Sequence, residues 1–410
     1  MKGTSSPTST GSAPSTSPRP ATPHPGSPPP PASGPASPPF DYEPLGRVVF
    51  APGALHRLGE LTRGLGATRV LLVTDPGLAT AGHPQRAAAS LSEAGLQVFT
   101  FDGVQENPTE RHVGNGVAFA RLHGIDAIVA VGGGSSMDCA KGVNFLLTNG
   151  GRMADYKGHG KATKPMLPSV GVPTTSGTGS EAQSYALITD ESSHLKMACG
   201  DKKAAFRVAI LDPELTLSQP RMVTAVTGID AVAHALESYV CTRRNAISVA
   251  AAAAAWRHLA PNFETVLHAP SDLAARSAMQ VGAHLAGTAI ENAMLGATHS
   301  CANPLTAHYG LTHGVAIGVM LPHVVRYNAV TTSHLYAELL PGVEDPGEEL
   351  VRRVTAMVVA AGLPTRLRDC GVSESILPLL AEEANQQWTA RFNPRPVADA
   401  DLLSIYQAAY

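Results

Sequence analysis

Apolar residues recur along the chain with two different periods. Between about residues 40 and 215, short unbroken apolar runs end in turn residues: RVLLVTD (69–75), LQVFTFDG (96–103), DAIVAVGGG (126–134) and LPSVGVPTT (167–175). Runs of that length, rich in β-branched side chains and closed by Gly, Asp or Thr, predict buried strands. Stretches with helical spacing lie between them, such as HPQRAAASLSEAG and RHVGNGVAFARLHG. Strand and helix in alternation predict a parallel sheet with helices on both faces. The stretch ALITDESSHLKMACGDKKAAFRVAILD (186–212) departs from this rhythm. It predicts extended segments about a turn, a hairpin added to the sheet.

From about residue 218 the strand signal ends. VTGIDAVAHALESYVC, ISVAAAAAAWRHLAPNFETVLH and SDLAARSAMQVGAHLAGTAIENAML are long, Ala-rich and helical in period, and GEELVRRVTAMVVAAG and DADLLSIYQAAY continue the pattern. The expected fold is a Rossmann-like α/β domain with a parallel sheet over residues 39–217, then an all-α domain over 218–410. Residues 1–38 are mostly Pro, Ser, Thr, Gly and Ala. Such a segment cannot bury enough apolar surface to offset its ordering entropy, so a disordered tail without a catalytic part is expected.

Length and charge narrow the function. A chain of 410 residues exceeds one small core and suits two domains. Its net charge of −3 suggests neither a nucleic-acid surface nor a basic membrane-seeking face. No apolar run reaches the roughly 18 residues of a spanning helix, and the N-terminus lacks the apolar stretch of a secretion signal. The five cysteines are scattered, odd in number and free of any CxxC, which fits reduced thiols in a cytoplasm.

Two turns in the first half suit a nucleotide. VGGGSSMDCAK follows a strand and opens a helix, and Ser135 or Ser136 can cap that helix. Its glycines let backbone amides approach a ligand, and a helix N-terminus suits a phosphate. The same residues also make a plain strand-to-helix turn, and neither GxGxxG nor GK[ST] is present. GVPTTSGTGSE (171–181) is a second such turn, and ligands bind where parallel strands end. Asp75 closes the first strong strand. It can accept from ribose hydroxyls and repel a 2′-phosphate, or it can serve as an Asx-turn residue.

In the second half, Asp230 and His234 lie four apart on one helix face. A buried polar pair needs either a mutual hydrogen bond or a metal. LGATHSCANPLTAHYGLTHG (295–314) holds His299, His308 and His313. In one straight helix His299 and His313 would stand about 21 Å apart. Pro304 and Gly310 between them favour a break that lets the segment fold back. His308 then reads as a packed or surface histidine. One Asp and three His form an N/O donor set for Fe2+, Zn2+ or a related divalent ion.

Taken in order, these motifs resemble the iron-containing (group III) alcohol dehydrogenases, of the dehydroquinate synthase-like fold. The resemblance spans about residues 41–410 and rests on VTD (73–75), NPT (107–109), GGGSSMDCAK (132–141), PTTSGTGSE (173–181), LDPELT (211–216), TGIDAVAHALE (227–237), the spaced His299 and His313, and NPRPV (393–397). It implies a cleft between an NAD-binding α/β domain and a helical domain. It implies Asp230, His234, His299 and His313 as ligands to one divalent metal, Fe2+ foremost and Zn2+ as the alternative. It implies pyrophosphate contacts at Gly133, Gly134 and Ser135, with Asp138 of the same motif also cofactor-binding, and a nucleotide-side loop at Thr174, Thr175 and Thr178. Asn107, Lys196 and Leu215 match further cofactor positions, and Asp75 matches the position favouring NAD over NADP. The implied protein is a cytoplasmic homo-oligomer, a dimer. It would interconvert a primary alcohol and its aldehyde, short and aliphatic or bearing a carboxylate or phosphonate. A lyase of the dehydroquinate synthase type and a non-catalytic relative are the alternatives. One position departs from the pattern: Asn303 stands where many members carry a histidine proposed as a proton relay, and an amide does not titrate near neutral pH.

Overall fold

A six-stranded parallel sheet organises the first half of the chain. The structure, a computed structural model, describes residues 38–191 and 196–410. The expected tail and the turn of the expected hairpin therefore lie wholly or partly outside the described residues. Strands β1 (Arg47–Phe50), β2 (Arg69–Val73), β3 (Gln97–Phe101), β4 (Ala127–Gly132), β6 (Ser169–Pro173) and β9 (Val208–Leu211) pair in the order β1-β9-β6-β4-β2-β3. Side chains alternate across this sheet. Val70, Leu72, Val129 and Val131 face one layer with α1 (Leu58–Gly64) and α2 (His83–Glu93). Leu71, Val73, Ile128 and Ala130 face the other with α3 (Glu110–His123) and α4 (Gly134–Asn149). Cover on both faces is why these strands read as continuous apolar runs.

The 186–212 stretch differs from expectation. β7 (Tyr185–Thr189) and β8 (Lys196–Gly200) do pair antiparallel, but with β5 (Gly158–His159) they form a separate sheet of order β5-β8-β7. Only β9 joins the main sheet. β1 is a short edge strand with Val49 buried and Val48 and Phe50 exposed, too brief to stand out as a periodic run.

The change to helices falls between β9 and α5 (Arg221–Val240), beside the expected 217/218 boundary. α5 is buried along almost its whole length from Thr224. Around it pack α6 (Ala246–His268), α7 (Leu273–Asn292), α8 (Ala297–Tyr309), α9 (His313–Leu339), α10 (Pro346–Ala361), α11 (Leu377–Gln386) and α12 (Asp399–Ala409). The fold-back expected within 295–314 occurs at Gly310, which adopts φ 62° after α8. Pro304 does not break the chain; it sits inside α8.

The sheet order reverses between β2 and β4, because β3 is added on one side of β2 and β4 on the other. In open α/β sheets such a reversal opens a crevice at the strands' carboxyl ends. Asp212, just past β9, anchors that edge: its fully buried carboxylate accepts from the backbone N–H groups of Gly53 (2.9 Å), Leu55 (3.0 Å) and Glu214 (3.1 Å). Asp212→Ala leaves three donors without that acceptor. We expect a loss of about 3 kcal/mol, read from urea unfolding midpoints at unchanged m-value.

Candidate metal centre

Three helices bring four side chains to one buried point. Asp230 and His234 lie one turn apart on α5, His299 is the third residue of α8, and His313 opens α9. Gly314 lets α9 start hard against α5: a Cβ there would lie 2.1 Å from the Val226 carbonyl oxygen. Asp230 Oδ1 then faces His234 Nε2 at 3.3 Å, His299 Nε2 at 3.4 Å and His313 Nε2 at 3.6 Å. The donors of Asp230, His299 and His313 lie within 4.8 Å of one another. The His234 ring stacks on His299 at 4.9 Å.

These distances suit a shared cation. Two donors each about 2.1 Å from an ion, at a tetrahedral angle, stand about 3.4 Å apart. Asp230 Oδ1 and His299 Nε2 are buried without a hydrogen-bond partner, which is costly for a carboxylate unless a positive charge compensates it. The electrostatics agree. Burial would raise the Asp230 carboxyl, yet the surrounding imidazoles, His234 foremost, hold it below the usual carboxylate value. Burial depresses His313 to about 3, keeping its ring a neutral donor. His299 is the exception: burial acts against its charge, but Glu237 and Asp230 push it up to about 9, so a cation at this point has to displace the Nε2 proton before that nitrogen can ligate.

Glu237 is the residue that sequence reasoning passed over. It follows Asp230 by seven and His234 by three, on the same face of α5, and this spacing was the available signal. Its Oε2 lies 2.5 Å from His299 Nδ1, and its Oε1 accepts the Thr298 N–H at 2.6 Å. A carboxylate behind a ligating histidine fixes the tautomer, so that Nε2 presents its lone pair forward. Asn393 of the NPRPV motif completes the support. Its Oδ1 accepts the Ala297 N–H at 3.1 Å, and its amide donates to Asn328 Oδ1 at 2.7 Å.

The two Gly/Thr turns meet at the crevice of the main sheet. Gly133 is the N-cap of α4 and no side chain caps that helix, contrary to the serine cap expected. Ser136 instead donates to Asp75 Oδ2 at 3.1 Å, tying the end of β2 to α4. The first-turn amides of α4, with Gly133, Gly134 and Ser135 only half-buried, are left facing outward. Thr175 lies beside Gly133, and Thr178 packs on Gly134 so closely that a Cβ there would meet it at 2.7 Å. The buried Thr174 donates its N–H to the Gly132 carbonyl at 3.0 Å.

The remaining positions differ in access. Asn107 adopts φ 52° ahead of α3. Lys196 opens β8 within electrostatic reach of Asp138 and Asp230, and burial lowers its pKa. Asp138 is buried, accepting from Ser180 Oγ at 2.6 Å, and burial raises its carboxyl. Leu215 has no exposed surface and belongs to the apolar layer beneath the sheet. Asn303 donates to Gln387 Oε1 at 3.1 Å. His308 is exposed and pairs with Glu383 at 2.8 Å, away from the other histidines.

Glu237→Gln keeps an acceptor for Thr298 but removes the negative charge behind His299. We expect retained folding by circular dichroism and metal affinity weakened roughly 10- to 100-fold in a competitive chelator titration.

Known proteins resemble this chain in sequence and fold. The iron-containing alcohol dehydrogenase model matches residues 46–213, and the C-terminal model of the Fe-containing alcohol dehydrogenase family matches residues 224–410. The 1,3-propanediol dehydrogenase of Klebsiella pneumoniae is 36% identical over 382 residues, covering 90% of this chain and 99% of the relative. The NAD-dependent methanol dehydrogenase of Bacillus methanolicus is 34% identical over 370 residues, covering 88% and 97%. A crystal structure of 1,3-propanediol oxidoreductase superposes with a TM-score of 0.88 at 36% identity, covering 90% of this chain and all of that one. Fold, motif order and relatives agree: the chain belongs to the iron-containing alcohol dehydrogenases, oxidoreductases that interconvert alcohols and aldehydes.

Proposed function

We propose that Asp230, His234, His299 and His313 hold one divalent ion, Fe2+ foremost and Zn2+ also compatible, and that NAD(H) binds along the crevice between the two Gly/Thr turns. The protein on this reading interconverts a short primary alcohol and its aldehyde. The observation that carries it is the single Asp230 oxygen facing three imidazole Nε2 atoms at 3.3–3.6 Å in a buried setting. When bound, the ion would supply Lewis acidity to the substrate oxygen and the nicotinamide would supply hydride exchange.

The chain's own residues prepare this chemistry. Glu237 keeps the proton of His299 on Nδ1 and leaves Nε2 free. The outward amides of Gly133, Gly134 and Ser135 offset pyrophosphate charge, with Thr175 and Thr178 forming the opposite wall. Asp75 accepts from a ribose and disfavours a 2′-phosphate. Asn107 and Lys196 edge the crevice, while Thr174, Asp138 and Leu215 shape it from beneath. Asn303 has no titrating atom, so α8 provides no proton relay one turn beyond His299. The surrounding helices bury Asp230, His234 and His299, while the His313 side chain keeps about a quarter of its surface exposed. The five unpaired cysteines support a reducing cytoplasm, and a dimer is the expected assembly. No described helix is long and apolar enough to cross a membrane.

His313→Ala removes one of four donors while leaving the core intact. Elemental analysis should show metal lost on dialysis and turnover of aldehyde with NADH abolished; full metal retention would refute the ligand set. Asp75→Gly should shift preference toward NADPH by roughly tenfold, seen as the ratio of kcat/KM for the two coenzymes. A wild type that already favours NADPH would contradict the role given to Asp75.

A further inference from the structure

The turn before α3 is held in an uncommon shape. Asn107 is the one non-glycine among the described residues with a left-handed φ, at 52°, and such a conformation persists only where its surroundings fix it. On one side, the Pro108 carbonyl accepts the Thr189 N–H at 2.8 Å, and Thr109 bridges Thr189 in parallel register. Thr189 pairs in turn with Lys196 of β8, whose ammonium lies within electrostatic reach of Glu106, Asp138 and Asp230. The Glu106–Thr109 segment therefore lies along the side of the crevice that Lys196 edges.

On the other side stands His112, buried in the first turn of α3. Its Nδ1 accepts the Thr109 N–H at 3.0 Å, the bond that a glutamate or glutamine makes in a capping box. An imidazole does this only while neutral, with its proton on Nε2. Protonated, Nδ1 becomes a donor and aims its N–H at another N–H. The charged ring can turn to Thr109 Oγ1, also at 3.0 Å, but the backbone N–H is then left without its acceptor. Burial, aided by Arg111 beside it on α3, holds His112 below the ordinary imidazole value, against the pull of Glu191 past the end of β7. Arg111 and Glu191 pair with each other at 3.1 Å, and Glu110 turns away to accept the Ala154 N–H at 3.2 Å.

We propose that His112 is a positioning residue for the coenzyme side of the crevice: its neutral ring seats the Asn107–Thr109 turn, and a proton on Nδ1 releases that turn and weakens NAD(H) binding. This rests on the reading that Asn107 edges the coenzyme crevice, and it adds a pH dependence and the residue that carries it. The sign follows from the chemistry. A ring that is harder to protonate in the folded chain keeps the turn intact above pH 6.5, the ordinary imidazole value, and the turn is lost as pH falls below it.

The test is a fluorescence titration of NADH into the metal-loaded protein, without substrate. The dissociation constant should rise roughly fivefold from about pH 7.5 to about pH 5, the effect of losing one cap. His112→Gln keeps an acceptor in the same place but does not titrate, so its affinity should match the wild type at about pH 7.5 and stay within about twofold at about pH 5. His112→Leu has no acceptor and should bind roughly fivefold more weakly at both values. Metal lost at low pH would act on all three proteins alike. A wild-type affinity that does not change with pH, or a His112→Gln variant that keeps the pH dependence, would overturn the inference. Absence of NADH binding at every pH in all three proteins would count against the coenzyme reading instead. Amide hydrogen exchange over residues 103–113 then decides on the turn. At about pH 5 the His112→Gln variant should be better protected there than the wild type, and equal protection would overturn the inference.

Discussion

The Glu237 carboxylate is the contact on which the centre depends. One oxygen meets His299 Nδ1 and the other accepts the Thr298 N–H, so a single α5 side chain sets both a ring and the helix start that carries it. Without that anchor, the first turn of α8 would have only Asn393 to satisfy its buried amides. The distances from Asp230 to three histidines follow from this arrangement. Two of the four donors sit on the same helix as Glu237 and a third is the residue it holds, while His313 is placed separately, by the close approach of Gly314 to α5.

The crevice is held to the helices by buried polar ties rather than by apolar contact alone. Gln280 of α7 donates to the carbonyls of Pro173 and Asp212, at the ends of β6 and β9, at 3.2 and 3.4 Å. Glu181 meets His284 at 3.1 Å, and Glu291 accepts from the Ser184 N–H at 2.9 Å. Lys141, with almost no exposed surface, donates to the carbonyls of Ser180 and Tyr185 and to Ser180 Oγ. Its charge is compensated by Asp138, Glu291 and Glu181. Truncating a group in such a network leaves a buried donor or acceptor unpaired. The PTTSGTGSE loop is thus locked from below while its threonines remain beside the α4 amides.

Much of this was legible in the sequence, for physical reasons that also explain what was not. Strands buried on both faces announce themselves as apolar runs, and Pro304 and Gly310 between histidines 14 residues apart favoured a break that lets the segment fold back. The resemblance of ordered motifs then suggested which polar residues belong together, and the structure does bring Asp230, His234, His299 and His313 to one point. Pairing choices were less accessible. The 186–212 hairpin has the right local pattern, but its partner is β5, a two-residue strand without periodicity, in a sheet of its own. Ser136 looked like a helix cap and is used by Asp75. Pro304 looked like a break, yet α8 runs through it to Gly310. Glu237 stood in a motif already singled out, but a supporting carboxylate has no signature apart from the residue it supports.

The turn between α8 and α9 carries a consequence for how this chain can vary. Between Tyr309 and His313 only Gly310, Leu311 and Thr312 intervene, and both flanking helices contribute a histidine to the same point. Each residue in a helix advances the chain by about 100° around its axis. One residue inserted or deleted between His299 and Gly310 would turn His299 away from Asp230 or displace the entry of α9. Substitutions such as Asn303 leave that phase untouched. Diversification in this region is therefore confined to changes of side chain at constant length, while insertions are better tolerated in exposed segments such as the one joining α9 to α10.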